Sequence, residues 1–234
     1  MTDLIIRSVT IEGLHGTCFY DTSSALAKVA FYIHCDADQG RGIYEEIRHR
    51  PRPLLVAVEP GVSWWHDMSP WPAPRTFAKG DDFTGGADAH LARLVDKFIP
   101  SVEEQVLGGP AKHRGLIGYS LAGLFAVYSL LKCDAFDLCG SMSGSLWFDN
   151  FLDYFSEHKT AIPGELKGVY LAVGEREKRT RNARMKTVED CTEKIQIMLE
   201  EQGIPSTMVI CPGGHFDDVP RRIADGIEWL LRLL

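Results

Sequence analysis

No apolar run in this chain approaches the ~20 consecutive residues that a membrane-crossing helix requires, so no bilayer span is expected. Positive charge is also in short supply: 25 Lys and Arg stand against 32 Asp and Glu, a net charge of -7. That balance argues against nucleic acid or an anionic membrane surface as the main partner. The six cysteines (Cys18, Cys35, Cys133, Cys139, Cys191, Cys211) include no Cys-x-x-Cys pair and lie mostly in apolar stretches. Buried free thiols of an intracellular protein are the expectation. His-Glu-x-x-His, zinc-ligand spacing, a phosphate-cradling Gly-x-x-x-x-Gly-Lys and a dinucleotide Gly-x-Gly-x-x-Gly are all missing, so the chemistry is expected to need neither metal nor cofactor. The start, Met1-Thr2-Asp3-Leu4-Ile5-Ile6-Arg7, is too acidic and too short in apolar length for a secretory signal, which makes a cytoplasmic location the expectation. There is no repeat, low-complexity tract or linker.

What remains is 234 residues of ordinary globular composition, 45% hydrophobic and 24% charged, sized for one α/β domain spanning 1–234. Strand-like runs at residues 4–12, 17–20, 28–35, 54–58, 116–117, 137–142, 168–173 and 207–211 alternate with helical patterns at 43–49, 88–106 (interrupted at Pro100), 124–131, 150–158, 187–202 and from Arg221 onward. Such alternation predicts a mostly parallel sheet with helices on both faces, the first two strands forming an antiparallel edge.

Within that alternation, Gly118-Tyr119-Ser120-Leu121-Ala122-Gly123 joins a short apolar strand to a long apolar helix through a serine. A serine on so tight a turn has strained backbone angles and an outward hydroxyl. Strand and helix then approach so closely that the residues two before and two after must be small, and Gly118 and Ala122 are. A serine hydroxyl is a poor nucleophile at neutral pH and needs a base. Of eight histidines, His215 is the best placed, because it follows the last strand and the flexible Gly213-Gly214; His66 is the runner-up.

One segment is not periodic. Residues 59–86 carry Trp64, Trp65 and Trp71 among several prolines. Long structureless loops in compact domains are functional or disordered, and three tryptophans argue against disorder. A substrate-pocket wall is the functional reading, and a packed structural loop the alternative.

The runs Ile117-Gly118-Tyr119-Ser120-Leu121-Ala122-Gly123-Leu124-Phe125-Ala126-Val127-Tyr128, Ser143-Gly144-Ser145-Leu146-Trp147, Val173-Gly174-Glu175-Arg176-Glu177 and Gly213-Gly214-His215-Phe216 together resemble the putative esterase family of α/β-hydrolases, which includes esterase D-like and siderophore esterases. Trp71-Pro72 is similar to a loop of the same family, and the likeness runs from about Leu54 to the carboxyl terminus. It implies an α/β-hydrolase that cleaves small-molecule carboxylic esters through an acyl-enzyme on Ser120, without naming the substrate. The short spacing between Ser145 and the next strand leaves no room for a large cap, and the tryptophan loop with no aliphatic trench points to a short-acyl or compact ester. A silent hydrolase fold that binds a ligand or partner, and an acyltransferase, are the alternatives. In many hydrolases of this fold the acid stands three residues after the glycine that ends the preceding strand. That selects Glu177, with Glu175 open and a serine–histidine dyad known among siderophore esterases. The resemblance places the oxyanion amides at Leu121 and just after Val58, where Pro60 has no N–H and Gly61 or Val62 is left. Trp71 and Trp147 are expected to border the substrate. Lys178, Arg179, Arg181 and Arg184 read as a solvated approach to a helix.

Overall fold

The computed structural model describes residues 3–76 and 80–234, so Met1, Thr2, and Phe77, Ala78 and Lys79 of the aromatic loop lie outside the described residues. The chain opens with a hairpin, β1 (Ile5–Ile11) and β2 (Leu14–Tyr20), turned by Glu12 and Gly13 at φ 51° and 80°. A one-turn helix α1 (Ser24–Ala27) leads to β3 (Val29–His34), then α2 (Ala37–Glu46) and β4 (Leu54–Val58). Helix α2 begins six residues earlier than the apolar pattern suggests because the Asp36 carboxylate accepts the Gln39 amide at 2.8 Å, satisfying an otherwise orphaned helix-start donor. It also ends earlier: Ile47 is already extended, on the approach to Pro51 and Pro53.

The described part of the aromatic segment is folded. It contains α3 (Trp64–Asp67), capped by the Ser63 hydroxyl accepting from the His66 amide at 3.2 Å, and a two-residue ribbon of β5 (Pro72–Ala73) and β6 (Phe83–Thr84). Helices α4 (Ala87–Arg93) and α5 (Ile99–Leu107) follow, joined by a π-helical stretch at Leu94–Phe98. The interruption expected at Pro100 is therefore taken up one turn earlier, where a widened register absorbs the proline's missing N–H.

The remaining elements are β7 (His113–Tyr119), α6 (Leu121–Ser129), β8 (Leu138–Met142), α7 (Phe151–His158), β9 (Gly168–Gly174), α8 (Val188–Glu201), β10 (Ser206–Cys211) and α9 (Val219–Leu231). Eight strands form one sheet in the order β1-β2-β4-β3-β7-β8-β9-β10. From β4 to β10 all neighbours are parallel, and β2 alone runs the other way, antiparallel to both β1 and β4. Strands β3, β4, β8 and β9 are buried along their whole length, as the central strands of a doubly covered sheet must be. One core layer gathers Tyr32, Phe98, Leu124 and Phe125, and the other Phe31, Ile33, Ile43 and Ile227. This is the α/β-hydrolase architecture, and the described residues include no large cap. No helix among them is long and apolar enough to cross a membrane. All six cysteines are free, and Cys18, Cys35, Cys139 and Cys191 are buried.

Candidate active site

Strand β7 ends at Tyr119 and α6 begins at Leu121, which leaves Ser120 alone to reverse the chain. It does so at φ 58° and ψ -120°, a strained conformation that a non-glycine residue adopts only when its surroundings enforce it. The steric expectation at Gly118 holds: a β-carbon there would stand 1.9 Å from the Ala122 carbonyl oxygen.

The loop after β10 brings His215 over this turn. Its Nε2 lies 3.1 Å from the Ser120 hydroxyl, and its Nδ1 lies 2.7 Å from Glu177 Oε2. With Nδ1 protonated toward the carboxylate, Nε2 presents a lone pair to the serine. Glu175 is exposed on the same turn and takes only a long contact of 3.4 Å from the Gly213 amide, so Glu177 alone of the two meets the imidazole. His66 is engaged elsewhere, 2.7 Å from the Thr84 hydroxyl.

Glu177 is almost buried, and its other oxygen accepts from the Ser143 hydroxyl at 2.6 Å and the Gly174 amide at 2.7 Å. Burial pushes its pKa up, but the bonds from His215, Ser143 and Gly174 outweigh that and hold the group below the usual carboxylate range. Behind this pair, Arg222 is buried on α9. It donates to the Tyr119 hydroxyl at 3.2 Å and to the Pro212 carbonyl at 2.6 Å, while the Tyr119 hydroxyl donates to the carbonyl of His215. Two protein elements thus fix the histidine from the back.

Sequence reasoning missed these supports. Arg222 had a signal, a cation on the otherwise apolar face of the last helix with Ile223, Ile227 and Leu230. Ser143 offers little, since its φ of 50° is a property of the fold.

Ser120 is shared by two depressions. One, of about 210 Å³, is lined by Trp147, Arg176, Arg179, Met185 and Val188 together with His215. The other, of about 300 Å³, is lined by His34, Gln39, Trp64, Trp65 and Phe216, the last with 84% of its surface exposed. Trp147 thus lines the first depression. Arg179 lines it too and is not merely solvated, and Arg184 stacks over Trp147 at 5.3 Å while binding Asp149 and the Pro74 carbonyl.

Two expectations are corrected. Trp71 faces neither depression: its indole packs among Tyr128, Phe148, Phe151 and Tyr154, and its Nε1 donates to the Asp149 carbonyl at 3.0 Å. It anchors the loop. The second correction concerns Gly61 and Val62. Strand β4, which they follow, is separated from β7 by β3, and a β-carbon on Gly61 would meet Leu14 and Arg93. The Val62 amide is spent on Asp67 Oδ2 at 2.8 Å. The turn that adjoins Ser120 follows β3, whose Ile33 pairs with Ile117 of β7. The first helical amide of α6, that of Leu121, adjoins Ser120. Among the described residues no group of three or more His, Cys, Asp or Glu side chains could hold a metal ion.

Residues 39–217 match the family described as "Putative esterase". A curated relative, uncharacterized protein YbbA of Bacillus subtilis (strain 168), is 28% identical over 188 residues, covering 77% of this chain and 74% of its own. Among solved structures, siderophore hydrolase EstB from Aspergillus nidulans superposes with a TM-score of 0.76 at 15% identity, covering 97% of this chain and 94% of that one. An IroE-like serine hydrolase from Shewanella oneidensis gives 0.77 at 18% identity, covering 98% and 80%. At such identities these likenesses speak to the fold. The family match spans more than two thirds of the chain, and it supports ester hydrolysis in general: this protein belongs to the Putative esterase family.

Proposed function

We propose that the protein is a serine esterase that hydrolyses small carboxylic esters through an acyl-enzyme on Ser120. The observation that carries this reading is the continuous chain from the strained Ser120 hydroxyl through His215 to Glu177. In the first half-reaction His215 takes the serine proton as Oγ bonds to the ester carbonyl carbon, and returns it to the departing alcohol. In the second, water is deprotonated by the same nitrogen and releases the acid. Glu177 stabilises the imidazolium that forms in between and fixes its tautomer.

The negative oxygen of each tetrahedral intermediate needs preorganised donors. Leu121 supplies one amide. For the second, the turn after β3 is the source supported by strand adjacency: the Cys35 amide is used on the Val58 carbonyl at 3.2 Å, which leaves Asp36 and Ala37, where α2 starts. An ester centred on Ser120 would put one portion against Trp147, Arg176 and Arg179 and the other against Trp64 and Trp65. Neither depression is an extended aliphatic trench, so short acyl groups and compact or flat alcohols are the expected substrates.

Labelling by a fluorophosphonate probe, with a p-nitrophenyl ester series of increasing acyl length, tests this reading. Rapid labelling that Ser120→Ala abolishes, with kcat/KM falling beyond short acyl chains, is expected. Absence of labelling in the folded wild-type protein would favour a silent binding fold, and transfer to added alcohols in place of water would make it an acyltransferase.

A further inference from the structure

A second set of titratable groups lies beside Ser120 and takes no part in the chemistry described above. His34 ends β3, is 2% exposed and lines the aromatic depression. Its Nε2 is 2.7 Å from Nε2 of the fully buried His90 on α4, and both rings meet the edge or face of Phe125 at centroid distances of 5.1 and 5.5 Å. His90 Nδ1 in turn faces Asp67 Oδ2 at 3.8 Å, and Asp67 is also fully buried. His34 Nδ1, His90 Nδ1 and Asp67 Oδ1 have no hydrogen-bond partner. Buried polar atoms left unpaired are rare because each forfeits its hydration, and three in one row call for a reason beyond packing.

The row has a defined polarity. Two imidazole nitrogens 2.7 Å apart need one proton between them, and burial keeps both rings neutral, His34 well below its ordinary pKa and His90 down to about 4. Asp67 raises His90 in opposition to that burial, while Arg93 and His66 lower it. The carboxylate favours the proton of His90 on the nitrogen that faces it, Nδ1. His90 Nε2 is then the acceptor and His34 the donor, so the His34 ring is held in one tautomer and one orientation. His34 immediately precedes the turn to which the proposed function assigns the second oxyanion donor. That turn is tied down at three points: the His34 ring by His90, the Cys35 amide by Val58, and the Asp36 carboxylate by the Gln39 amide.

We propose that His34, held by His90 and through it by Asp67 of the aromatic loop, is a positioning residue for the oxyanion-binding turn after β3. The proposal rests on the serine-esterase reading above. An oxyanion contact exists only while charge is on the carbonyl oxygen, so loosening its donor lowers kcat and spares KM. A residue needed only for folding does the opposite: it lowers the melting temperature and leaves the kcat of the folded protein alone.

The experiment compares His90→Leu, which leaves the His34 proton without an acceptor, with His90→Gln, whose carboxamide oxygen can take it. Steady-state kinetics on p-nitrophenyl acetate are read beside near-ultraviolet circular dichroism. His90→Leu is expected to lower kcat about tenfold with KM within about twofold of wild type, and His90→Gln to recover most of the loss. Should His90→Leu fail to fold, Asp67→Asn removes the charge that selects the tautomer while keeping an oxygen for the Val62 amide, and should lower kcat in the same direction. A folded His90→Leu enzyme of wild-type kcat overturns the proposal, as does an equal loss in His90→Gln or a loss confined to KM. Ser120→Ala serves as the control for the underlying reading: if it is inert while His90→Leu turns over normally, the positioning role alone has failed.

Discussion

Two histidine–carboxylate chains converge on Ser120 and are built to opposite specifications. In the first, His215 and Glu177 stand 2.7 Å apart, and the two oxygens of the carboxylate accept bonds from His215, Ser143 and Gly174. In the second, His90 and Asp67 stand 3.8 Å apart and polar atoms go unpaired. The first opens on the cleft, where the proposed mechanism moves a proton; the second is buried, with only His34 reaching the wall of the aromatic depression. Full hydrogen bonding around a carboxylate keeps it ionised and ready to stabilise a transient imidazolium. Enclosure without it keeps imidazoles neutral, which suits them to hold a shape and unsuits them to carry a proton at neutral pH. Proximity of the same residue types is therefore not enough to name a role; the number of satisfied oxygens decides it.

The widest separation between the chains should come from removing their ends. Ser120→Ala is expected to abolish ester turnover, and His215→Ala to cost about 10³-fold or more in kcat, with folded protein recovered in both cases. Wild-type turnover in either variant would dissolve the first chain. Next in size is the carboxylate: Glu177→Gln should lower kcat by about 10²- to 10⁴-fold, while Glu175→Gln, at an exposed side chain, should change it little. Comparable small losses in both variants would mean a dyad working without its acid.

A third comparison uses acid. His34 and His90 are held below their ordinary value of 6.5, so between about pH 6.5 and 4 the unfolded chain takes up protons that the folded one refuses, and stability falls as pH drops through that window. Glu177 is depressed from 4.5, so its contribution is complete above that value and is lost only below it, as pH falls through the folded pKa. Urea midpoints measured from pH 7 to 3 should accordingly decline less steeply between 6.5 and 4 in His90→Gln, whereas Glu177→Gln should flatten only the limb below 4.5. Identical profiles in the two variants would erase the distinction. The smallest kinetic effect is expected from Trp71→Ala. It removes a half-buried indole that anchors the loop carrying Asp67, costing about 2 kcal/mol or more of stability, with the order of preference among ester chain lengths unchanged.

Legibility in the sequence follows the range of the interactions. The elbow could be read because its constraints are local: Gly118, Ser120 and Ala122 are fixed by one turn's own sterics. His215 was accessible through the two glycines that precede it. The acid reads as Glu177 from its distance past Gly174, with Glu175 left open, because the final choice depends on which carboxylate the turn after β9 points at His215. The second oxyanion donor was assigned to the wrong strand. Chain order suggested the segment after Val58, but β3, earlier in sequence, inserts between β4 and β7, and only the sheet order reveals it. Tryptophans in a loop advertise contact area without saying with what: Trp64 and Trp65 turn toward the cleft, and Trp71 turns toward α7. His34, His90 and Asp67 lie in three separate elements, and nothing in their spacing announces that they meet.

The distance along the chain between Ser120 and His215 is 95 residues, and the contact between them exists only because β7, β8, β9 and β10 lie side by side in parallel. Each of those pairings needs a crossover through a helix, the slow kind of closure in folding. Hydrolytic competence in refolding is therefore expected to be a late event, one that reports on the second half of the chain. Esterase activity regained after dilution from denaturant should lag behind the recovery of helical circular dichroism. That would make turnover itself a stopwatch for assembly of the carboxyl-terminal half of the sheet.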